Sequence, residues 1–348
     1  MTKKKSEVPQ NDSTTLNYDS DGSFCSVNSD NDEMDQPVIR RSNRSNKGIP
    51  PQRYENVRVA QSQNFHEPKT LKEAMNSPNW CQWKIAMQEE LDSLNKNNTW
   101  DLVEYPKGQN VFGCKWTYKI KRGVDGDVLR YKARLVAQGF TQKFGYDFDD
   151  VFAAVARQST FRILLSIAGE RKMNVHHIDI KCAFLNGTLK ETIYMKQPPG
   201  FCENNNLVCR LNKSIYGLKQ ASHVWNLTLD DVLIKNGFIC SNADHCLYHK
   251  IINGEGVYIL VYVDDLVIVS QEVMNIKTVE NMLCTKFEIH SLGSISHYLG
   301  MEVLRIDNNF KLRQKNFIEK LVIKFGFENS KISNYPLDPS YGKSDLTL

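Results

Sequence analysis

The chain has 348 residues, enough for about two or three domains, and 41% of them are apolar, enough for a substantial core. Its net charge of +4 is compatible with a polyanionic partner without requiring one, and no apolar stretch has the length of a transmembrane helix or the character of a signal peptide. From these two features we expect an intracellular protein. Nine cysteines without a Cys-x-x-Cys pair indicate neither a zinc site nor a disulfide framework, so we expect reduced core thiols.

The first 56 residues are rich in Ser, Asn and Asp and contain few aliphatic side chains. They pass from an acidic stretch at 30–35 to a basic one at 40–53. Such a segment cannot bury enough apolar surface to offset the entropy lost on ordering. The composition therefore predicts a disordered tail or linker over 1–56.

Helical patterns begin after Pro68. A short helix is predicted around residues 71–75, followed by Ser77-Pro78 as an N-cap and first helical residue. The next helix is predicted to run to Asn97. Its apolar stripe contains Trp80, Trp83, Ile85, Met87, Leu91 and Leu94.

A basic hairpin follows, with strands over 112–121 and 129–140. It carries Lys119, Lys121, Lys132 and Arg134. An exposed charged face is the ordinary meaning of such residues, whereas a hairpin folded over a phosphate site is the functional one. The later predicted elements are a helix at 159–172, strands at 175–180 and 207–211, a helix from about 216 to 236, a hairpin at 257–270, a helix at 273–287, a strand pair at 298–313 and a helix at 315–327.

The hairpin at 257–270 places Asp264 and Asp265 between two apolar stretches typical of buried strands. Tight hairpin turns favour glycine or asparagine, so turn chemistry does not explain two acids at the central positions. Adjacent buried carboxylates repel each other unless a cation lies between them. A solvent-exposed Asp-Asp turn is the alternative, and the buried flanking strands favour a divalent metal site.

Asp179 ends another predicted strand, and helices alternate with the strands around it. This order fits an α+β layer of the split βαβ or ferredoxin-like plan, in which Asp179 and Asp264 converge. Carboxylates that hold two divalent cations about 3.5–4 Å apart suit an in-line phosphoryl displacement, and oxygen ligands suit Mg²⁺. Phe184, shortly after Asp179, would either exclude a 2′-hydroxyl by a clash or pack in the core.

Several longer motifs occur in order, namely 179–187, 193–201, 214–221 and 262–265. Together with segments 132–140 and 298–300, they closely resemble the reverse transcriptase domain of copia-type LTR retrotransposon Pol polyproteins. The resemblance extends from Glu73 to about Pro336, some three quarters of the chain. The ordered set is far more specific than a Tyr-Val-Asp-Asp match alone.

The resemblance implies a right-hand polymerase with fingers, a ferredoxin-like palm and a partial thumb from about residue 290. Asp179, Asp264 and Asp265 would be the catalytic, metal-binding residues, with Mg²⁺ as the cofactor and Mn²⁺ as an alternative. Substrate-binding roles are implied for Phe184, Gln220, Lys121, Lys132, Arg134 and Tyr262. The register of the basic hairpin stays open at this point.

The implied activity is RNA-directed DNA polymerisation, in which a primer 3′-OH attacks the α-phosphorus of a dNTP. The implied partners are an RNA or DNA template-primer, dNTPs and, in an intact element, the integrase and RNase H parts of the polyprotein, with no membrane. Two alternatives remain. The first is a non-catalytic relic that keeps the fold and nucleic-acid binding, and the second is a nucleotide cyclase or nuclease on a related palm.

The predicted domains are a tail over 1–56, a reverse transcriptase domain over 57–340 and a truncated tail over 341–348. The chain is therefore expected to be a fragment of a polyprotein. Its expected location is cytoplasmic and, for an intact element, inside virus-like particles.

Overall fold

The computed structural model describes residues 67–123, 127–202 and 206–330. The chain divides into the units Met1–Asn56 and Val57–Leu348, and all described residues belong to the second. The predicted tails at 1–56 and 341–348 lie outside the described residues. In chain order the helices and strands of the described residues are α1 (Leu71–Met75), α2 (Trp80–Lys96), β1 (Trp100–Glu104), β2 (Val111–Phe112), β3 (Cys114–Arg122), β4 (Val128–Ala137), α3 (Gln158–Glu170), β5 (Asn174–Ile180), β6 (Thr188–Met195), β7 (Leu207–Lys213), α4 (Ala221–Lys235), β8 (Ile239–Cys240), β9 (Leu247–Ile252), β10 (Glu255–Tyr262), β11 (Asp265–Ser270), α5 (Val273–Cys284), β12 (Ile289–Ser294), β13 (His297–Tyr298), β14 (Met301–Ile306), β15 (Asn309–Arg313) and α6 (Lys315–Lys324).

The central sheet has six strands in the order β12-β5-β11-β10-β9-β8, all paired antiparallel. Four of these strands and two helices follow the chain order β5, α4, β10, β11, α5, β12, with β5 and β11 side by side at the centre. This is the βαββαβ arrangement of a ferredoxin-like fold. The predicted ferredoxin-like palm is confirmed.

Apolar side chains cover both faces of the central sheet because alternate strand residues point to opposite sides. On one face, Ile178 and Leu266 pack with Trp225 and Leu229 of α4 and with Ile276 of α5. The opposite face carries α3 and the three-stranded sheet β13-β14-β15. Its core contains Val175, Val267, Phe161, Tyr298 and Val303. The sheet is therefore buried on both faces, which leaves the ends of its strands for a site.

The basic hairpin is the two-stranded sheet β3-β4, and α2 packs on its apolar face. Burial alternates strictly along β3, so Trp116 and Tyr118 point into the core with Trp83 and Met87. The lysines at intervening positions point the other way. A separate four-stranded sheet has the order β1-β7-β6-β2.

The predicted start of α2 is wrong. The helix begins at Trp80 with Asn79 as its N-cap, and the Ser77 hydroxyl donates to the Ala74 carbonyl 2.8 Å away. Ser77 therefore closes the short helix α1 instead of opening α2. The predicted apolar stripe is also wrong at Ile85, which is 60% exposed, whereas Ala86 lies in the core.

Two features of the strands differ from the sequence analysis. Strands β1, β6, β8, β9 and β12 are absent from the prediction, and β12 is the fourth strand of the ferredoxin-like unit. The turn residues between β10 and β11 are Val263 and Asp264, because Tyr262 pairs with Asp265. Asp265 is thus the first residue of a strand and not a central turn residue. No helix in the described ranges is both long and apolar enough to cross a membrane.

Candidate active site

The three aspartates meet at one end of the central sheet. Asp179 of β5 lies directly opposite Asp265 of β11 in the antiparallel register. Asp264 precedes Asp265 in the turn, and its carbonyl accepts a 2.8 Å hydrogen bond from the Ile180 backbone N–H. Pairing of the first and third strands of the fold therefore brings together carboxylates that are distant in sequence.

The turn that carries Asp264 has an unusual backbone. Val263 has a φ of 54°, in the left-handed region that β-branched residues rarely adopt. Trp225 of α4 donates its indole Nε1–H to the Val263 carbonyl at 2.8 Å, and its side chain is buried. Helix α4 thus restrains the strained turn through this hydrogen bond. Backbone strain of this kind is common at functional sites.

A cavity of about 250 Å³ separates the basic hairpin from the aspartates. Asp179 and Asp264 line one wall, and Lys121, Lys132 and Arg134 line another. The remaining lining residues are Glu90, Leu94, Leu135, Ile180, Cys182, Leu185, Ile215 and Tyr216. The structure therefore joins five of the sequence-predicted site residues around one space.

The hairpin register explains why these three cations share a wall. Lys121 is opposite Arg130, Lys119 is opposite Lys132, and Thr117 is opposite Arg134, so all six side chains share the face opposite the buried Trp116 and Tyr118. Lys119 pairs with Glu67 at 2.9 Å and Arg130 with Glu89 at 2.6 Å. Lys121, Lys132 and Arg134 are the members of this face that reach the cavity.

Each wall of the cavity holds like charges at close range. Burial raises the pKa of Asp264, and the Asp265 and Asp179 carboxylates raise it further, against the opposing effect of Arg134. Burial lowers the pKa of Lys132, as does Arg134 beside it. A ligand that places anionic groups beside the basic wall and a bound metal cation beside the aspartates would reduce the repulsion within both walls.

Arg134 is held in place by an aromatic ring. Its guanidinium carbon lies 4.6 Å from the centroid of the Tyr216 ring. Phe184 meets the same Tyr216 ring edge-on, with the centroids 4.8 Å apart. Phe184 belongs to the 3-10 turn Ala183–Asn186 and is partly buried beside the cavity without lining it.

Gln220 is buried and does not line the cavity. Its amide oxygen accepts from Gln142 at 3.0 Å, and its amide nitrogen donates to the Asp147 carbonyl at 3.0 Å and to Glu191 at 3.3 Å. Tyr262 also lies outside the cavity lining and packs towards the face of the sheet that carries α3. The structure therefore does not bring these two residues into the cavity.

His177 is a site residue that the sequence analysis missed. Its Nε2 lies 2.9 Å from Asp265 Oδ1. The available signal was its position two residues before Asp179 on a strand, which places both side chains on the same face. Glu90 and Tyr216, which line the cavity, were also missed, although Tyr216 belongs to the motif at 214–221.

The aspartates fit a hard divalent cation. Among the described residues, no three His, Cys, Asp or Glu side chains are gathered closely enough to hold a metal by themselves. Asp179 and Asp264 supply oxygen donors on one cavity wall. Asp265, the first residue of β11, lies opposite Asp179 and supplies a third carboxylate beside them. Mg²⁺ binds through one or two carboxylates and completes its shell with waters and substrate phosphates, so this donor set suits it.

A ferredoxin-like sheet with carboxylates clustered at one end of its central strands, faced by a basic hairpin, defines the palm and fingers of a right-hand polymerase. A model of the reverse transcriptase (RNA-dependent DNA polymerase) family matches residues 97–339. The chain therefore belongs to the reverse transcriptase family.

The proteins similar to this chain include polyproteins of plant transposons. The retrovirus-related Pol polyprotein from transposon TNT 1-94 of Nicotiana tabacum is 38% identical over 304 residues, which are 86% of this chain and 23% of that protein. The one from transposon RE1 of Arabidopsis thaliana is 35% identical over 277 residues, which are 79% of this chain and 19% of that protein. These relatives confirm the copia-type resemblance, and the chain spans about a quarter or less of their length.

Among solved structures, a foamy viral protease-reverse transcriptase in complex with double-stranded DNA aligns with 72% of this chain and 37% of that chain. Its TM-score is 0.37 at 15% sequence identity.

Proposed function

We propose that this chain is the RNA-directed DNA polymerase domain of a copia-type Pol polyprotein. It transfers a nucleotidyl group from a dNTP to a primer 3′-OH, with loss of pyrophosphate. The observation that carries the proposal is the cavity with Asp179 and Asp264 on one wall and Lys121, Lys132 and Arg134 on the other. A dNTP is a ligand with a polyanionic end for the cations and a reacting end for the carboxylates.

Asp179, Asp264 and Asp265 would hold two divalent cations, either Mg²⁺ or Mn²⁺, which would stabilise the attacking and leaving oxygens. The basic wall would bind the triphosphate. Arg134 suits this role because its planar guanidinium binds phosphate through two parallel hydrogen bonds, and the Tyr216 ring restricts its orientation.

The remaining predicted residues lie outside the cavity lining, and we propose a role for each. Phe184, seated against the Tyr216 ring, would meet the sugar and exclude a 2′-hydroxyl. Tyr262, paired with Asp265 across the turn, would contact the substrate next to the carboxylates. A direct contact of Gln220 with the nucleotide would break the three hydrogen bonds of its side chain, so we propose that it acts through the segment around Gln142, to which it is bonded.

The proposed partners are an RNA or DNA template-primer and dNTPs, together with the integrase and RNase H parts of an intact polyprotein. Residues 57–340 would form the polymerase domain, with the thumb starting near residue 290, after a tail over 1–56. The proposed setting is the cytoplasm and, for an intact element, virus-like particles. The absence of a membrane-spanning helix from the described ranges is compatible with this setting.

Primer extension on poly(rA)–oligo(dT) with Mg²⁺ or Mn²⁺ tests the proposal. We expect dTMP incorporation by the wild type and its loss in Asp264→Asn. Asp231→Asn is the matched control, because it makes the same change at an exposed residue whose ion pair with Lys235 is worth little. A folded, template-binding wild type that incorporates nothing would refute the proposal and favour the non-catalytic relic. A product other than complementary DNA would favour a different two-metal enzyme.

A further inference from the structure

We infer that His177 is a positioning residue for Asp265 and that it tunes divalent-cation binding at the carboxylate cluster, an inference that rests on the proposed function. The His177 Nε2 lies 2.9 Å from Asp265 Oδ1. The two residues belong to neighbouring central strands, β5 and β11. Neither the family match nor the motifs of the sequence assign a role to this histidine.

The chemistry of the pair fixes the direction of the hydrogen bond. An ionised carboxylate only accepts hydrogen bonds, so the imidazole Nε2–H must donate to Asp265 Oδ1. The bond occupies one oxygen of Asp265 and leaves the other for a cation. His177 thus selects which carboxylate oxygen of Asp265 is available.

The surroundings of His177 restrict its ring. The side chain is 12% exposed, and the ring meets the buried Tyr298 ring edge-on, at 87° and 5.8 Å between centroids. Its backbone is fixed by strands on both sides, because β5 pairs with β11 and with β12. A donor held by a packed ring on a central strand is preorganised for its acceptor.

Asp265 needs such a donor because it lies in a cluster of like charges. Asp179 is opposite Asp265, and Asp264 precedes it in the chain. In the absence of a partner, mutual repulsion favours rotation of the Asp265 carboxylate away from the other two. Ligating carboxylates are commonly oriented by hydrogen bonds, and loss of such a partner typically costs about 10- to 100-fold in metal affinity or activity.

Three variants separate the hydrogen bond from the packing. His177→Leu replaces the imidazole ring by an apolar side chain of similar size and removes the donor. His177→Gln places an amide N–H the same number of bonds from the backbone as the imidazole Nε2 and should restore the bond. His176→Leu is the matched control, because the neighbouring histidine points to the opposite face of β5.

Mn²⁺ binding gives a readout that does not depend on turnover. We would titrate Mn²⁺ by electron paramagnetic resonance into the full chain with a dideoxy-terminated template-primer and dNTP. The site is defined as the binding that Asp264→Asn abolishes. The Mg²⁺ dependence of primer extension is the second readout, and circular dichroism melting verifies that each variant is folded at the assay temperature.

We expect His177→Leu to raise the Mn²⁺ dissociation constant about 10- to 100-fold, with His177→Gln within about threefold of wild type. His176→Leu should bind like wild type. Unchanged binding by His177→Leu, equal loss in His177→Leu and His177→Gln, or equal loss in His176→Leu would each overturn the inference and leave the proposed function standing. A wild type without any Asp264-dependent Mn²⁺ site would overturn both.

Discussion

Replacing Trp225 by phenylalanine would remove one hydrogen-bond donor from the turn that carries Asp264. The indole Nε1–H donates to the Val263 carbonyl at 2.8 Å, and phenylalanine keeps an aromatic ring in the buried position against Phe287. The change therefore separates the support of the turn from the packing of α4. We expect both the free energy of unfolding and the rate of nucleotide incorporation to fall.

The size of each effect follows from the contacts. A carbonyl left without its buried donor costs about 1–3 kcal/mol, and the smaller ring costs about 1 kcal/mol in packing. The free energy of unfolding should therefore fall by about 2–4 kcal/mol. Val263 keeps its left-handed φ of 54° only under such restraint, and a shift of about 1 Å in a reacting group can cost roughly 100-fold in rate.

Trp116→Phe is the matched control. The Trp116 indole also donates to a backbone carbonyl, that of Pro199 at 2.9 Å, and its buried ring meets Phe201 edge-on. The two substitutions should lower stability by similar amounts in urea unfolding followed by circular dichroism. Only Trp225→Phe should lower kcat in primer extension, by about 10- to 100-fold, under conditions where both variants are folded.

Equal kcat values for the two variants would refute the reasoning, because the turn would then hold Asp264 without the indole. A large drop in kcat for Trp116→Phe would refute it as well, since that residue supports the hairpin and not the turn.

Three further predictions concern the cap of α3, the packing of Gly217 and the basic wall. Asp244 caps the start of α3, because its buried carboxylate accepts from the Arg157 backbone N–H and from the Thr160 hydroxyl at 2.5 Å; it also accepts from the Cys246 backbone N–H. Although burial raises the pKa of Asp244, these three donors hold it below the usual range. Asp244→Ala should lower the free energy of unfolding by about 2–4 kcal/mol near pH 7 in urea titrations. The difference from wild type should shrink as the pH falls below about 4, because a carboxylate with a lowered pKa loses its stabilising effect once it is protonated. A difference that grows in acid would contradict this prediction. Gly217→Ala should prevent stable folding in expression and melting assays, because φ is 94° and the new Cβ would lie 2.1 Å from the Ala137 carbonyl oxygen, whereas Gly254→Ala, with open space around it, should cost only about 1 kcal/mol. Lys132→Gln should raise the KM for dTTP about 10- to 100-fold in steady-state primer extension, the loss expected for one charge-assisted phosphate contact, and an unchanged KM would remove Lys132 from the basic wall.

Elements with regular burial were predictable from sequence, and elements held by distant partners were not. The apolar run of β10 and β11 and the alternation along β3 follow periods that the residues themselves display. Strand β12 exposes most of its side chains and pairs with β5 through an irregularity between Ser291 and Gly293, so no alternation marks it. Its strand conformation comes from the hydrogen bonds of β5, which local sequence does not contain.

The same division holds in the candidate site. Two acids inside an apolar hairpin are conspicuous in the sequence, and the structure brings them to Asp179. The environment of Gln220 depends on Gln142 and Glu191, which belong to other segments of the chain. The contact of His177 with Asp265 likewise requires the pairing of β5 with β11, so it is visible only once the sheet is formed.

The two walls of the cavity differ in how firmly the sheet hydrogen bonds hold them. Strand β5, which carries Asp179, pairs with a strand on each side, whereas β3 and β4, within the part of the chain that the structure describes, pair with no third strand. Backbone amides of a strand paired on both sides exchange with solvent only during large unfolding events. Those of a two-stranded sheet exchange during smaller openings that cost less free energy. We therefore expect slow hydrogen exchange around the carboxylates and faster exchange in the basic hairpin. Entry of a nucleotide would then displace the cationic wall while the acidic wall stays fixed.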